Sequence, residues 1–356
     1  MPTGSFRGWG RENRKNSIRR VRYFIRHPNH QALHFGAVGT KPKKKLTVAL
    51  LSGGISSERE VSLNSGSQVY EALDKAKYDI LRYDPKTDLP QLVADAPRID
   101  AALIILHGSF GEDGTVQGLL DLLGIPYQGS GVLGSAVAMN KLAAKRLYQQ
   151  AGLPVPDYVV ARSGDGLDPG AVVKLLGLPL VIKPVVGGSS VGITIVRRPE
   201  GLRVAVEAAW QHDPSVLIEA YIQGTEITGG VIGNDVLEAL PIIEIIPDRN
   251  REFFDYTAKY TPGATQEICP ARIDPALTAE AQRLAMEAHR TLFCRGYSRT
   301  DMMLRGRDIF VLETNTIPGM TATSLLPQAA HTAGLSFSRL LDRLIDLSLE
   351  GRCERR

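Results

Sequence analysis

The sequence lacks the features of a membrane protein or a disulfide-rich protein. Its three cysteines, Cys269, Cys294 and Cys353, have a spacing that fits neither a metal cluster nor a disulfide framework. No apolar run approaches the roughly 18 residues that a membrane span requires, and the longest covers only 101–106. The first 45 residues contain no hydrophobic stretch typical of a secretion signal. We therefore expect a protein of the reducing cytoplasm with no membrane partner.

Acidic residues are nearly absent from the first 45 positions. These positions hold 12 Lys and Arg against one acid, Glu12, which gives them a net charge of +11. The whole chain carries +4, so the rest must carry −7 and forms a mildly acidic body. Such an extension is compatible with an organelle transit peptide, a nucleic-acid-binding arm, a disordered tail or an upstream translation start. We favour a tail or an upstream start, and the acidic body argues against a nucleic-acid partner.

Length and periodicity together predict several α/β domains. With 356 residues, 43% of them apolar, the chain exceeds a single hydrophobic core. Apolar strands at 46–51 and 101–106 are each followed by a polar loop. Helical patterns at 61–76 and 116–123 come next, with Thr115 as the N-cap of the second. This alternation predicts a small parallel sheet with functional residues at the strand ends.

The middle of the chain predicts a helix followed by a glycine-rich flap. The helical pattern runs from 139 to 152, with Lys141 near its start. Strands at 180–184 and 193–197 flank a Gly/Ser loop at 185–192, whose backbone N–H groups could wrap phosphates. The loop lacks the spacing of a P-loop, and alone it fits a plain hairpin better.

Two later segments also suggest binding functions. A strand at 216–222 carries Glu219 near its end. The segment 253–263 is aromatic and charged and ends in Pro and Gly, which predicts a lid or binding loop.

The most informative segment is a predicted hairpin near the C-terminus. Strands at 300–304 and 308–312, joined by a three-residue loop, would place Asp301 opposite Glu313, with Asn315 on the same face. Opposed carboxylates repel unless a cation lies between them. Oxygen ligands of this kind suit Mg²⁺ or Mn²⁺, with phosphates completing the shell. A solvated hairpin with two unrelated acids fits these residues equally well.

Six strings, in this order along the chain, resemble those of the ATP-grasp superfamily and, within it, of the D-alanine–D-alanine ligase family. The match covers about residues 46–349. The strings are GGISSEREVSLNS at 53–65, HGSFGEDGT at 107–115, KPVVGGSSVG at 183–192, DYTAKY at 255–260, RTD at 299–301 and ETNTIPGMTATSL at 313–325.

The resemblance implies an α/β architecture with the ATP-grasp fold. A Rossmann-like N-terminal domain at 46–138 would bind substrate, and two α+β domains at 139–228 and 229–350 would clamp ATP. The basic extension at 1–45 lies outside the match. A homodimer in the cytoplasm is expected.

The resemblance also implies a reaction. ATP would phosphorylate the carboxylate of one D-alanine, and the amine of a second D-alanine would displace phosphate, giving the dipeptide of cell-wall precursors. Its cofactors would be ATP and two Mg²⁺ or Mn²⁺ ions. D-Ala–D-lactate and D-Ala–D-Ser ligases are the alternatives within this class. A catalytically dead nucleotide-binding scaffold is a further alternative, which the complete metal set, Arg299 and Lys259 oppose.

For ATP and metal, the resemblance implies roles for ten residues. Lys141 and Lys183 would face the phosphates, whereas Lys145 is expected to be a surface lysine. Glu219 would contact adenine and Glu226 the ribose. The backbone of Ala220 and Ile222 would contact the adenine edge, and Lys259 would reach the γ-phosphate. The metal ligands would be Asp301, Glu313 and Asn315.

For the amino-acid substrates, the resemblance implies a second group of residues. Glu58 would hold the ammonium of the first D-alanine, with His107 near its carboxylate. Arg299 and the N–H of Gly319 would form the oxyanion hole. Ser324 and Leu325 would hold the second carboxylate, and Glu58, Ser189 and Tyr260 would form a hydrogen-bonded trio that closes the lid.

Overall fold

The computed structural model describes residues 44–188, 192–247 and 265–350. Within these ranges, thirteen strands form three sheets. The predictions for the extension up to residue 43, for Ser189, and for the lid with Lys259 and Tyr260 fall outside the described residues. Across the described ranges, no helix has the length and apolarity needed to cross a membrane.

The N-terminal sheet is parallel, as the sequence predicts. Its strands lie in the order β2-β1-β3, with β1 at Leu46–Ser52, β2 at Tyr78–Tyr83 and β3 at Ala101–Ile105. Strands β1 and β3 are almost completely buried, which explains their continuous apolar runs. The helices of this part are α1 (Arg59–Ala72), α2 (Leu89–Asp95), a 3₁₀ turn (Ala96–Arg98), α3 (Thr115–Leu122) and α4 (Val132–Met139).

Two helix predictions in this part need correction. Thr115 is not an N-cap, because α3 already begins there and the preceding Gly114 has φ of 96°. The Asp113 carboxylate accepts the Thr115 N–H at 3.0 Å instead. The helix predicted at 139–152 is confirmed over Lys141–Gln150, but it begins two residues later than predicted, because α4 ends at Met139 and a new helix follows. Asn140 caps that new helix by accepting the N–H of Ala143 at 2.9 Å.

The central sheet is antiparallel and four-stranded, in the order β4-β7-β5-β6. Its apolar core forms mainly against α7. In chain order the elements are α5 (Lys141–Gln150), β4 (Tyr158–Arg162), α6 (Pro169–Leu176), β5 (Leu180–Pro184), β6 (Thr194–Val196), α7 (Gly201–Ala209) and β7 (Ser215–Ala220).

The C-terminal sheet is antiparallel, in the order β11-β10-β8-β12-β13, with β9 paired to β8. Its elements are β8 (Thr225–Gly233), β9 (Leu237–Ala239), β10 (Ile243–Pro247), β11 (Thr265–Ile268), α8 (Pro275–Thr291), β12 (Gly296–Arg305), β13 (Asp308–Asn315), α9 (Leu325–Thr332) and α10 (Phe337–Leu349). One hydrophobic cluster joins α9 and α10 to the N-terminal sheet. The domain boundaries at 138/139 and 228/229 stay predictions.

The β12–β13 hairpin has the predicted pairing of Asp301 with Glu313, but its turn length and strand register differ from the prediction. Its turn has two residues, 306–307, rather than three. The register shifts once along the ladder, so that Leu312 has no partner and Asp301 pairs with Glu313. This irregularity is a β-bulge, which adds one residue to β13. Glu313 and Asn315 therefore lie within β13 and do not follow it.

The bulge also decides which face of the hairpin carries the acids. Before it, Ile309 and Val311 point into the apolar core against α8. After it, Thr314 is the buried residue, and Glu313 points to the opposite face. Because side chains alternate along a strand, Glu313 would share the core face of Val311 without the extra residue.

Candidate active site

Two adjoining cavities contain the predicted site residues. One has a volume of ≈ 530 Å³ and the other ≈ 130 Å³, and Lys183, Ile193 and Glu313 line both. Every predicted site residue that the structure describes lines one of them. The larger cavity is lined by Glu58, His107, Lys141, Lys183, Arg299, Glu313, Asn315, Gly319, Ser324 and Leu325. The smaller is lined by Lys183, Glu219, Ala220, Ile222, Glu226, Asp301 and Glu313.

Asp301 is held by polar side chains from three positions in the C-terminal sheet. Arg299 donates to both of its oxygens, from Nε at 2.9 Å and from Nη2 at 2.8 Å. Thr228 on β8 donates to Oδ1 at 2.6 Å, and Asn315 donates from Nδ2 to Oδ2 at 3.1 Å. The guanidinium therefore compensates one of the two opposed acids, a role that the sequence argument gave to a metal ion.

Glu313 has a different environment from Asp301. Its carboxylate makes no hydrogen bond or ion pair with any described residue, and it lies where the two cavities meet. Within the described ranges, no cluster of three or more His, Cys, Asp or Glu side chains could hold a metal. Two carboxylates and one amide leave most of a coordination shell to phosphates and water, which is the usual arrangement for Mg²⁺. The residues present therefore fit a Mg²⁺–nucleotide complex.

Three hydrogen-bonded hydroxyl groups lie on the face of the hairpin opposite the acids. The Tyr148 hydroxyl on α5 donates to Thr314 Oγ1 at 2.7 Å, and Thr314 Oγ1 lies 2.9 Å from Thr300 Oγ1. Thr314 lies between Glu313 and Asn315, and Thr300 is adjacent to Asp301, so these contacts fix the strands directly behind the acids. Because all three hydroxyls are buried, they restrain the orientation of the acids on the opposite face.

The smaller cavity is lined on several sides by apolar side chains, among them Val181, Ile195 and Leu312. At one end Glu219 forms ion pairs with two lysines: Lys183 Nζ lies 2.9 Å from its Oε2 and Lys145 Nζ lies 3.1 Å from its Oε1. The prediction of a surface position for Lys145 was wrong, since its side chain is 1% exposed. An apolar slot with an acid at one end suits a flat purine base.

The N-terminal part of the larger cavity contains three titratable groups. Burial lowers the pKa of His107, and the charge of Glu58 offsets only part of this effect, so the imidazole is neutral near pH 7. Its Nε2 has no hydrogen-bond partner among the described residues. Burial and Glu58 raise the pKa of Glu112 to about 8, and its Oε2 accepts the Gly108 N–H at 2.7 Å.

The glycine-rich loop after β5 contacts both of its neighbours. Lys141 donates from Nζ to the Gly187 carbonyl. A Cβ atom at Gly188 would lie 3.4 Å from Glu58 Oε2, so the loop backbone runs directly beside this carboxylate. Ser189, which is predicted to contact Glu58, is the first residue beyond the described part of the loop.

The N-terminus of α9 opens into the larger cavity. Ser324 precedes the helix, but its hydroxyl accepts the Thr321 N–H at 3.1 Å and does not cap α9. Thr321 Oγ1 is also 2.7 Å from Ser324 Oγ. A helix N-terminus without a side-chain cap offers backbone N–H groups to an anion, which suits a carboxylate.

Several residues of this site were not predicted from the sequence. Lys145 follows Lys141 by four positions, so the two share one face of α5, and this spacing could have indicated it. Thr228 follows Glu226 by two positions on β8 and therefore shares its face. Glu112 lies inside a matched string but received no role. For Tyr148 the sequence contains no signal, because its partner Thr314 is 166 positions away.

Comparisons with known proteins agree on one family. Two family models match the chain: the D-ala D-ala ligase N-terminus at residues 82–130 and the D-ala D-ala ligase C-terminus at residues 147–346. A D-alanine–D-alanine ligase of Syntrophobacter fumaroxidans is 65% identical over 307 residues, which are 86% of this chain and 99% of the relative.

Solved structures give the same result. The D-alanine–D-alanine ligase of Bacillus anthracis complexed with ATP matches with a TM-score of 0.76 and 36% identity, over 87% of this chain and 100% of that one. The VanG D-Ala:D-Ser ligase of Enterococcus faecalis matches with a TM-score of 0.72 and 34% identity, over 86% of this chain and 100% of that one.

Proposed function

Because the chain belongs to the D-alanine–D-alanine ligase family and has its ATP-grasp fold, we propose that it uses ATP to join two molecules of D-alanine. One observation carries the proposal: Lys183, Arg299, Glu313 and Ser324 line a single cavity. These residues supply phosphate binding, charge stabilisation, a metal ligand and a carboxylate site. The products would be D-alanyl-D-alanine, ADP and phosphate.

ATP would lie across both cavities. The purine fits the apolar slot, where Glu219 would accept its amino group and the backbone of Ala220 and Ile222 would meet its edge. Glu226 would bind the ribose. The phosphates would then extend past Lys183 into the larger cavity, where Lys141 also lies. Lys259, which we propose for the γ-phosphate, is outside the described residues.

Metal binding would involve Asp301, Glu313 and Asn315. We propose two Mg²⁺ ions, with Mn²⁺ as a substitute, and when bound they would neutralise charge on the phosphates. Glu313 is the more accessible ligand because no described side chain binds it. At Asp301 a cation would compete with Arg299, whose guanidinium already occupies both oxygens. Phosphates would offer Arg299 an alternative partner in the larger cavity.

The first D-alanine would bind near the N-terminal sheet. The Glu58 carboxylate would hold its ammonium group. The neutral His107 imidazole, whose Nε2 has no hydrogen-bond partner among the described residues, would hydrogen-bond to its carboxylate. That carboxylate would attack the γ-phosphate to give an acyl phosphate and ADP. Ser189 and Tyr260 would complete the lid trio with Glu58.

The second D-alanine would bind at α9. Ser324, Leu325 and the first N–H groups of that helix would hold its carboxylate. Its amine would attack the acyl carbon, and Arg299 with the Gly319 N–H would stabilise the oxyanion of the tetrahedral intermediate. Loss of one such donor typically costs about 10²–10³ in rate. A cytoplasmic homodimer remains our prediction for the assembled enzyme.

A substrate panel tests this proposal. The purified chain is incubated with MgATP and, in turn, D-alanine, L-alanine, D-alanine with D-lactate, and D-alanine with D-serine. Phosphate is measured by a coupled assay and the products by mass spectrometry. We expect one D-Ala–D-Ala per phosphate and no reaction with L-alanine. Preferential D-Ala–D-lactate or D-Ala–D-Ser formation at neutral pH would favour the alternative ligases, and ATP binding without turnover would favour the inactive scaffold.

A further inference from the structure

Lys145, Glu219 and Lys183 form a buried triad behind the smaller cavity. Lys145 extends from α5, Lys183 from β5 and Glu219 from β7, and the Lys145 and Glu219 side chains are 1% and 3% exposed. The Lys145 ammonium also lies 5.3 Å from the centroid of the Tyr158 ring. Tyr158 and Glu219 are direct neighbours across the β4–β7 pair.

The two lysines of the triad have different positions. Lys183 lines both cavities, so it can reach a ligand in either. Lys145 lines neither of them and lies behind Glu219 as seen from the smaller cavity. A ligand in these cavities can therefore take Lys183 as a partner, whereas Lys145 can act only through Glu219.

Lys145 stabilises the ionised form of Glu219. Burial alone would raise the pKa of Glu219, but Lys183 and Lys145 together hold it below the ordinary value. If Lys183 moves toward a polyphosphate, Lys145 remains as the compensating cation. Without Lys145, the carboxylate would then be a buried charge with no partner, which is strongly disfavoured.

The two lysines hold the Glu219 carboxylate by different oxygens, Lys183 at Oε2 and Lys145 at Oε1. Lys145 Nζ lies 3.1 Å from Glu219 Oε1, within ion-pair distance. Both atoms are buried, so this ion pair is shielded from water. Glu219 also lines the smaller cavity, so its carboxylate faces a donor bound there, while Lys145 holds Oε1 from the buried side.

We infer that Lys145 is a positioning residue for purine selection: it keeps Glu219 ionised and oriented so that the slot accepts a purine with an amino group at its 6-position and rejects one with a carbonyl there. An amino group donates a hydrogen bond to the carboxylate, whereas a carbonyl oxygen is repelled by it. The inference rests on the proposed function only in placing a purine nucleotide in the smaller cavity.

The test compares nucleotide binding by three variants. Lys145→Met removes the charge but retains a similar chain length, and Lys145→Arg retains the charge. Arg146→Met is the matched control, because Arg146 is the exposed next residue on α5. Dissociation constants for ATP and GTP are measured by calorimetry with the full-length protein and Mg²⁺, without amino acids. Circular dichroism checks that each variant is folded.

We expect Lys145→Met to weaken ATP binding by about tenfold to a hundredfold, since a hydrogen bond to a charged group is affected. GTP binding should change by less than about threefold, so the ATP/GTP preference falls. Lys145→Arg should retain most of the preference, and Arg146→Met all of it. A purely structural role would weaken ATP and GTP equally, and that result would overturn the inference.

The outcome does not depend on ligase activity. If Lys145→Met fails to fold, Lys145→Gln takes its place, and an unchanged ATP/GTP preference in the folded variant would count against the inference. In steady-state assays the ATP KM should rise while the D-alanine KM stays constant. If the unmodified chain shows no preference for ATP over GTP, both the inference and the proposed ATP site fail. If it binds ATP selectively but makes no dipeptide, only the proposed reaction fails.

Discussion

Substitution of the two hairpin acids should affect stability differently, although both are proposed metal ligands. From the sequence alone, Asp301→Asn and Glu313→Gln would each relieve repulsion between opposed carboxylates. In the structure Asp301 binds Arg299 through two hydrogen bonds, whereas Glu313 has no partner among the described residues. Asp301→Asn should therefore destabilise the metal-free protein, and Glu313→Gln should not.

The size of the effect follows from burial. The Arg299 and Asp301 side chains are 11% and 9% exposed. Removing one partner of a buried ion pair typically costs about 3–5 kcal/mol, and the proximity of a solvent-accessible cavity favours the lower end. Removing the charge of Glu313, which has no ion-pair partner in the described part of the chain, should change the free energy of unfolding by less than about 0.5 kcal/mol, or raise it slightly. The two variants should therefore differ by about 3 kcal/mol.

Urea denaturation in EDTA, without nucleotide, measures this difference. Asp308→Asn is the control, because Asp308 is an exposed acid at the start of the same strand. With MgATP and D-alanine, both Asp301→Asn and Glu313→Gln should lose at least about a hundredfold in turnover, since each removes a proposed metal ligand. Equal unfolding free energies for the two variants would refute the reasoning, and so would normal Mg²⁺-dependent turnover in either.

Three further predictions concern other parts of the chain. Burial lowers the pKa of His289 to about 4, so below pH 6.5 the unfolded chain binds a proton that the native state does not. The free energy of unfolding should fall as the pH drops from 6.5 to 4, and His289→Gln should flatten this part of the urea-denaturation profile. Tyr148→Phe should cost about 0.5–1.5 kcal/mol and raise the Mg²⁺ concentration for half-maximal activity, because Thr314 loses a donor; an unchanged Mg²⁺ requirement would contradict this role. Deletion of residues 1–43 should leave kcat and KM within about threefold of the values for the undeleted chain. A large loss of activity would show that the extension contributes to catalysis.

The sequence predicts elements well where one physical signal dominates. Continuous apolar runs identified β1 and β3, because both strands are covered on both faces. The hairpin pairing of Asp301 with Glu313 was also predicted correctly. However, the predicted three-residue turn was wrong. The turn is one residue shorter, and the extra residue of the bulge at Leu312 restores the pairing. Local sequence does not specify a bulge, because it depends on packing against α8 and α5.

Long-range contacts were the least predictable part of the site. Lysine is usually a surface residue, and only the ion pair with Glu219, 74 positions later, explains the burial of Lys145. Similarly, Arg299 was predicted to be available for the reaction, but in the structure it neutralises Asp301. Resemblance to a family supplied the identities of the site residues, while the charge balance among them required coordinates.

The most direct test of the central claim follows oxygen from D-alanine into phosphate. D-Alanine with both carboxylate oxygens replaced by ¹⁸O is incubated with the chain and MgATP, and phosphate and dipeptide are analysed by mass spectrometry. Attack of the first carboxylate on the γ-phosphate, followed by amine displacement, predicts one ¹⁸O in each phosphate and three in each dipeptide. Unlabelled phosphate, or phosphate release without dipeptide, would contradict the proposed acyl-phosphate ligase.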